Sequence, residues 1–114
     1  MTFGSDAPFG ELNPLRNVYS AITRQTALGY PPGGWHPEQK LSLFDSIRMY
    51  TADAAFAAFE EKSKGLIEKG KLADFTVLSQ DPFRIPVSEI LETKIDMTIV
   101  GGRIVYRRTN DEVE

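Results

Sequence analysis

Between Gly65 and Leu78 the chain carries its tightest pattern, Gly-Leu-Ile-Glu-Lys-Gly-Lys-Leu-Ala-Asp-Phe-Thr-Val-Leu, and the segments on either side must fold around whatever this stretch forms. Gly65 and Gly70 lend backbone freedom on either side of Leu66 and Ile67, while Phe75, Val77 and Leu78 are the bulky residues of a half-buried strand. Charge gathers at Glu68, Lys69 and Lys71, where a turn would sit. The expected element is a β-hairpin with a structural role, since none of its side chains is an evident nucleophile, base or metal cluster.

Ahead of it the chain is helical in pattern. Asn13 is a good N-cap and Pro14 suits the first helical position, after which Leu15, Val18, Tyr19 and Ile22 share one face of a helix expected to run to about Ala27. Prolines and glycines from Gly29 to Lys40 then oppose both helix and ladder, so a loop is expected there. Ser42 stands three residues before Asp45, a short-acid capping box, and Leu43, Ile47 and Tyr50 form the apolar stripe of the next helix. Thr51 is placed to cap a further helical stretch, Ala54 to Phe59, which reads as buried on more than one side.

Behind the hairpin, Ser79 to Pro82 is a turn and Ser88 to Leu91 a single helical turn. Lys94 to Ile99 alternates polar and apolar, Gly101-Gly102 is a two-residue turn, and Arg103 to Tyr106 returns, which is the clearest hairpin in the chain. Arg107 to Glu114 reads as a charged, frayed tail. Helices precede strands, so the fold class expected is α+β with segregated halves, divided at 1–60, 61–107 and 108–114.

At 114 residues one core is the limit. A net charge of -3 supplies no basic field for nucleic acid or an anionic membrane, and the absence of cysteine removes disulfides and thiolate metal sites. No apolar run approaches the roughly 18 residues of a membrane span. These features set a cytoplasmic, reducing environment as the expectation, with neither nucleic acid nor membrane as partner.

Chemistry has few places to sit. Asp6 follows Thr2 to Ser5, which reads as the end of a strand with no earlier element to pair with, the mark of a piece of a longer fold. A carboxylate there, among Gly4, Ser5 and Ala7, is open to a ligand or metal, although local sequence alone favours an aspartate closing its own turn. His36, the single histidine, lies beside Trp35 in the Pro/Gly loop and reads as a surface residue, because zinc needs three or four clustered ligands. Glu60 and Glu61 read as a solvated helix end, Arg107 and Arg108 as too few for a phosphate patch, Phe56 and Phe59 as core, and Gly101-Gly102 as a plain turn.

The runs Phe3 to Pro8, Leu12 to Leu15, Gln39 to Leu43, Tyr50-Thr51, Gly65 to Phe75 and Val100 to Tyr106, in this order, resemble the C-terminal end of a metal-dependent amidohydrolase of family three, the YtcJ-like proteins. The resemblance implies a TIM barrel with its catalytic metal, zinc by expectation, at the C-terminal mouth, and a β-sandwich assembled from both chain ends. Asp6 matches the aspartate closing the eighth barrel strand, which in this superfamily ligates metal and takes a proton from the hydrolytic water. The helices from Pro14 and Leu43 would cover the last barrel strands, and the hairpins from Gly65 and Lys94 would belong to the sandwich.

The chain departs from the family pattern in lacking the His-x-His pair and the further ligands of earlier strands. By itself it is therefore expected to hold no metal and to hydrolyse nothing, whereas the parent would act on small-molecule amides. The competing reading is a non-catalytic structural or interaction module. Either way the apolar face Leu15, Val18, Tyr19 and Ile22 is expected to lie exposed and drive self-association.

Overall fold

The computed structural model describes residues 1–109 and has helices first and strands second. Helix α1 spans Pro14–Thr23 and starts as its sequence dictates: the Asn13 side chain accepts the Leu15 N–H at 3.0 Å, and proline occupies the first turn. It ends four residues before Ala27. Arg24 turns left-handed at φ 58°, and the chain beyond claims the freed backbone groups, with Trp35 N–H donating to Arg24 C=O and Leu41 N–H to Ala21 C=O. The loop that follows contains a short 3-10 turn, Pro37–Gln39, which its prolines had argued against.

Helix α2, Leu43–Tyr50, opens on the expected box: Ser42 Oγ accepts the Asp45 N–H at 3.0 Å and donates to Asp45 Oδ2 at 2.9 Å. Its buried face is rotated from the expected Leu43-Ile47-Tyr50 stripe towards Ser46 and Met49, and the serine tolerates burial by donating to Ser42 C=O. Helix α3, Ala52–Ala57, buries only Ala55. The expectation of a helix enclosed on several sides fails here. Phe56 and Phe59 are 69% and 92% exposed, and the Thr51 hydroxyl bonds Ile47 C=O instead of capping α3.

The stretch from Gly65 to Leu78 is not a hairpin. Gly65 and Gly70 sit at φ +99° and +94° and curl residues 65–72 into turns, leaving Leu66 and Ile67 exposed. Only Phe75–Leu78 forms a strand, β1, and its partner is β2, Ile95–Val100. β2 pairs in turn with β3, Arg103–Arg107, giving a three-stranded antiparallel sheet in the order β1-β2-β3. Thus the expected second hairpin forms and the first becomes one edge strand.

Asp74 explains why the patterned stretch matters to this sheet. Its Oδ1 accepts the Gly101 N–H at 2.8 Å, and Ala73 C=O accepts the Gly102 N–H at 2.9 Å, so the two-glycine turn is clamped by residues just ahead of β1. Asp74→Ala is expected to lower unfolding free energy by about 1 kcal/mol, the worth of one such bond, and to broaden the Gly101 amide in NMR spectra. Unchanged urea melting would show that the clamp contributes nothing to stability.

The core lies where α1 meets a 3-10 segment, Val87–Glu92, with Leu15, Tyr19 and Ile90 at its centre and Leu43, Leu78, Ile85, Leu91 and Ile95 packed around them. Leu15, Val18 and Tyr19 are buried within the chain, so they are not the exposed patch expected of them. Gln80 ties the 3-10 segment to β1 by donating to Glu89 C=O and the buried Thr93 hydroxyl. Arg107 closes β3 and Arg108 bonds Asp96 through backbone and side chain, so the expected tail is held at its start; its residues 110–114 lie outside the described range. Among the described residues no helix is long and apolar enough to cross a membrane.

Candidate functional site

Asp6 sits on a segment fixed at two ends. Upstream, the Thr2 hydroxyl and the Phe3 N–H both donate to Met49 C=O, at 3.0 and 3.2 Å, at the C-terminal end of α2, where helix carbonyls lack partners of their own. Downstream, Asp6 C=O accepts the Phe9 and Gly10 N–H groups at 2.9 and 3.1 Å, with Asp6 itself left-handed at φ 53°. Gly10 has no room for a side chain, because a Cβ there would lie 1.8 Å from Ser5 C=O. The backbone thus closes the turn that local sequence suggested, while the side chain stands exposed.

A metal centre needs more than one donor. Among the described residues no group of three or more His, Cys, Asp or Glu is placed to hold an ion, and Asp6 alone does not fit one. The other candidates lie in separate environments. His36 is half exposed, its Nδ1 2.9 Å from Glu38 Oε1 and its ring edge-on to Trp35, over which the Arg24 guanidinium lies 5.1 Å from the ring centroid. Glu60 pairs with Lys64 at 2.7 Å, and that hydrogen bond and charge hold the Lys64 ammonium above the ordinary lysine range.

Glu61 departs from the solvated helix end expected of it, since its Oε2 is enclosed without a hydrogen-bond partner among the described residues. Its backbone carbonyl accepts Lys71 Nζ at 2.6 Å, which draws the turn after Gly65 onto the end of α3. Sequence reasoning missed Asp74 as a turn clamp and Tyr50 as a neighbour of the Asp6 segment. The Tyr50 ring meets Phe3 edge-on at 5.4 Å and its hydroxyl accepts from Asn17 Nδ2 at 2.9 Å. Long-range pairs of this kind leave no local signal.

Known proteins supply the remaining context. The chain is 36% identical over 106 residues to the amidohydrolase YtcJ of Bacillus subtilis (strain 168), 93% of this chain and 20% of that protein. It is 32% identical over 109 residues to N-substituted formamide deformylase of Arthrobacter pascens, 96% of this chain and 20% of that protein. A third relative, Protein LONG AFTER FAR-RED 3 of Arabidopsis thaliana, is 33% identical over 109 residues, 93% of this chain and 18% of that protein. The chain therefore spans about one fifth of the length of these relatives. No solved structure matches. A family model described as the amidohydrolase family covers residues 1–106, nearly the whole chain, and by that match the chain belongs to the amidohydrolase family, family three.

Proposed function

We propose that this chain is the C-terminal fifth of a metal-dependent hydrolase acting on carbon-nitrogen bonds other than peptide bonds, and that Asp6 is the one metal ligand it contributes. The family match over residues 1–106 carries the hydrolase reading, and exposed surface supports its being part of a larger fold. The chain exposes 8601 Å² at a mass of 12.7 kDa, whereas a folded monomer of that mass exposes about 6,200 Å². The excess, about 2,400 Å², is of the size buried in obligate interfaces. A radius of gyration of 15.3 Å, against about 13 Å for a compact domain of this length, points the same way.

In this reading the uncovered apolar residues of α2 and α3 (Phe44, Phe56) and the neighbouring Phe59 face the remainder of a barrel. The three-stranded sheet, with every residue of β3 exposed, is one layer of a sandwich whose second layer comes from the other chain end. The remaining metal ligands would lie on earlier barrel strands, and zinc is the ion proposed. The relative that deformylates N-substituted formamides makes a small-molecule amide the natural substrate class.

The purified 114-residue chain is expected to retain no stoichiometric zinc after equilibrium dialysis and to release no formate from N-substituted formamides. One equivalent of zinc, or turnover lost on Asp6→Asn, would overturn its inactivity as an isolated chain. Uncovered apolar surface also directs the lone chain to self-association, through Phe44, Phe56 and Phe59 rather than the α1 face. Light scattering at rising concentration checks this. A monodisperse monomer up to about 1 mM contradicts it.

A further inference from the structure

Asp6 is exposed and lies in a short turn, yet three residues earlier the same segment is strapped to α2 by side chains as well as backbone. Beyond the two bonds to Met49 C=O, the strap consists of the Phe3 ring against the Tyr50 ring, with centroids 5.4 Å apart and planes at 71°. Asn17 on α1 fixes Tyr50 in turn, its Nδ2 donating to the hydroxyl at 2.9 Å. Two helices and the Asp6 segment thus meet at one aromatic ring. We propose that Tyr50 is a positioning residue for Asp6: held by Asn17, it pins Phe3 and so sets where the carboxylate is presented.

The inference rests on the reading of Asp6 as a ligand, and it explains how an exposed aspartate could be presented in one place. Displacing a reacting group by about 1 Å can cost on the order of 10²-fold in rate, so a carboxylate on a turn of its own needs such an anchor. The ring and the hydroxyl have separable parts in it. The ring touches Phe3 and makes the pinning contact, while the hydroxyl adds the bond from Asn17, whose Nδ2 can donate to water if the hydroxyl is lost.

The test is backbone ¹⁵N relaxation of the 114-residue chain with no metal added. In the wild type the amides of Gly4, Ser5 and Asp6 should show order parameters near about 0.85, the value of rigid backbone. Tyr50→Leu should lower them below about 0.6 while α1 and the sheet stay rigid, and Tyr50→Phe should keep them high because the ring remains. Phe3→Leu reaches the same contact without altering a helix and decides the matter if Tyr50→Leu does not fold. Rigid Gly4 to Asp6 amides in Phe3→Leu, or equal loosening of helices and sheet in either leucine variant, would overturn the strap. Because no metal or turnover enters this readout, its failure is separate from failure of the zinc and formate assays, which bear on Asp6 itself.

Discussion

Ile90→Ala is expected to remove about 3 kcal/mol of stability, within the range for deleting a buried isoleucine side chain to its β-carbon. Ile90 is 1% exposed at the centre of the only hydrophobic cluster among the described residues, with Leu15 and Tyr19 on α1 as its partners. The consequence is large because so little else is buried: Val18, Met49 and Ala55 complete the buried apolar set. Domains are stable by only about 5–15 kcal/mol, and a chain with this core belongs at the low end. Urea melts followed by circular dichroism should show the midpoint falling with little change in slope. A loss under about 1 kcal/mol would mean that the junction of α1 with the 3-10 segment is not what holds the chain together.

Gly65→Ala is expected to cost a similar amount by the opposite means, adding an atom where none fits. A Cβ at Gly65 would stand 2.7 Å from Ala55 Cβ, 3.1 Å from Ala52 Cα and 3.2 Å from Thr51 C=O, and the backbone there has φ +99°. The first of these is closer than side-chain atoms approach, and α3 backbone stands behind it. Overpacking typically costs about 1–3 kcal/mol, and the strained dihedral adds to it, so about 3 kcal/mol is expected. Gly70→Ala is the control, since φ is similar at +94° but a Cβ meets nothing within 4 Å. It should cost about 1 kcal/mol. Equal losses at the two glycines would show that backbone strain alone is at issue and that the contact with α3 is unimportant.

These two sites also show what could be read from the sequence. Helix starts were legible because capping is a local chemistry: Asn13 and Ser42 lie two and three residues from the N–H groups they satisfy. The hairpin of β2 and β3 was legible for the same reason, with alternation on either side of Gly101-Gly102. Gly65 reads as a point of backbone freedom in an expected hairpin, whereas it turns the chain against α3. Glycine at positive φ signals that the chain turns, and nothing near Gly65 in sequence says that it turns against α3 instead of leading into a strand. α1 stops early because Leu41 and Trp35, far along the chain, bond the end of the helix.

The candidate site was legible in part. Asp6 could be singled out by the resemblance, and its turn by composition, but the strap to Tyr50 joins residues 47 positions apart and carries no periodic signature. Phe56 and Phe59 read as core in the sequence because aromatic residues at helical spacing usually are core. Here Phe56 lies on the short helix α3 and Phe59 just past its end, both largely exposed, and in the proposed parent that spacing would still be a buried face.

The outer strand β3 bears on how copies of this chain could meet. Its residues alternate Arg103, Ile104, Val105, Tyr106 and Arg107, all exposed, so it presents an apolar middle with an arginine at each end. A second copy adding edge to edge in antiparallel fashion about Val105 would set Arg103 of one chain against Arg107 of the other. Like charges directly opposite one another weaken a ladder, and charged edge residues are a common guard against fibre growth. In the self-association proposed above, the two arginines would therefore disfavour edge-to-edge pairing through β3.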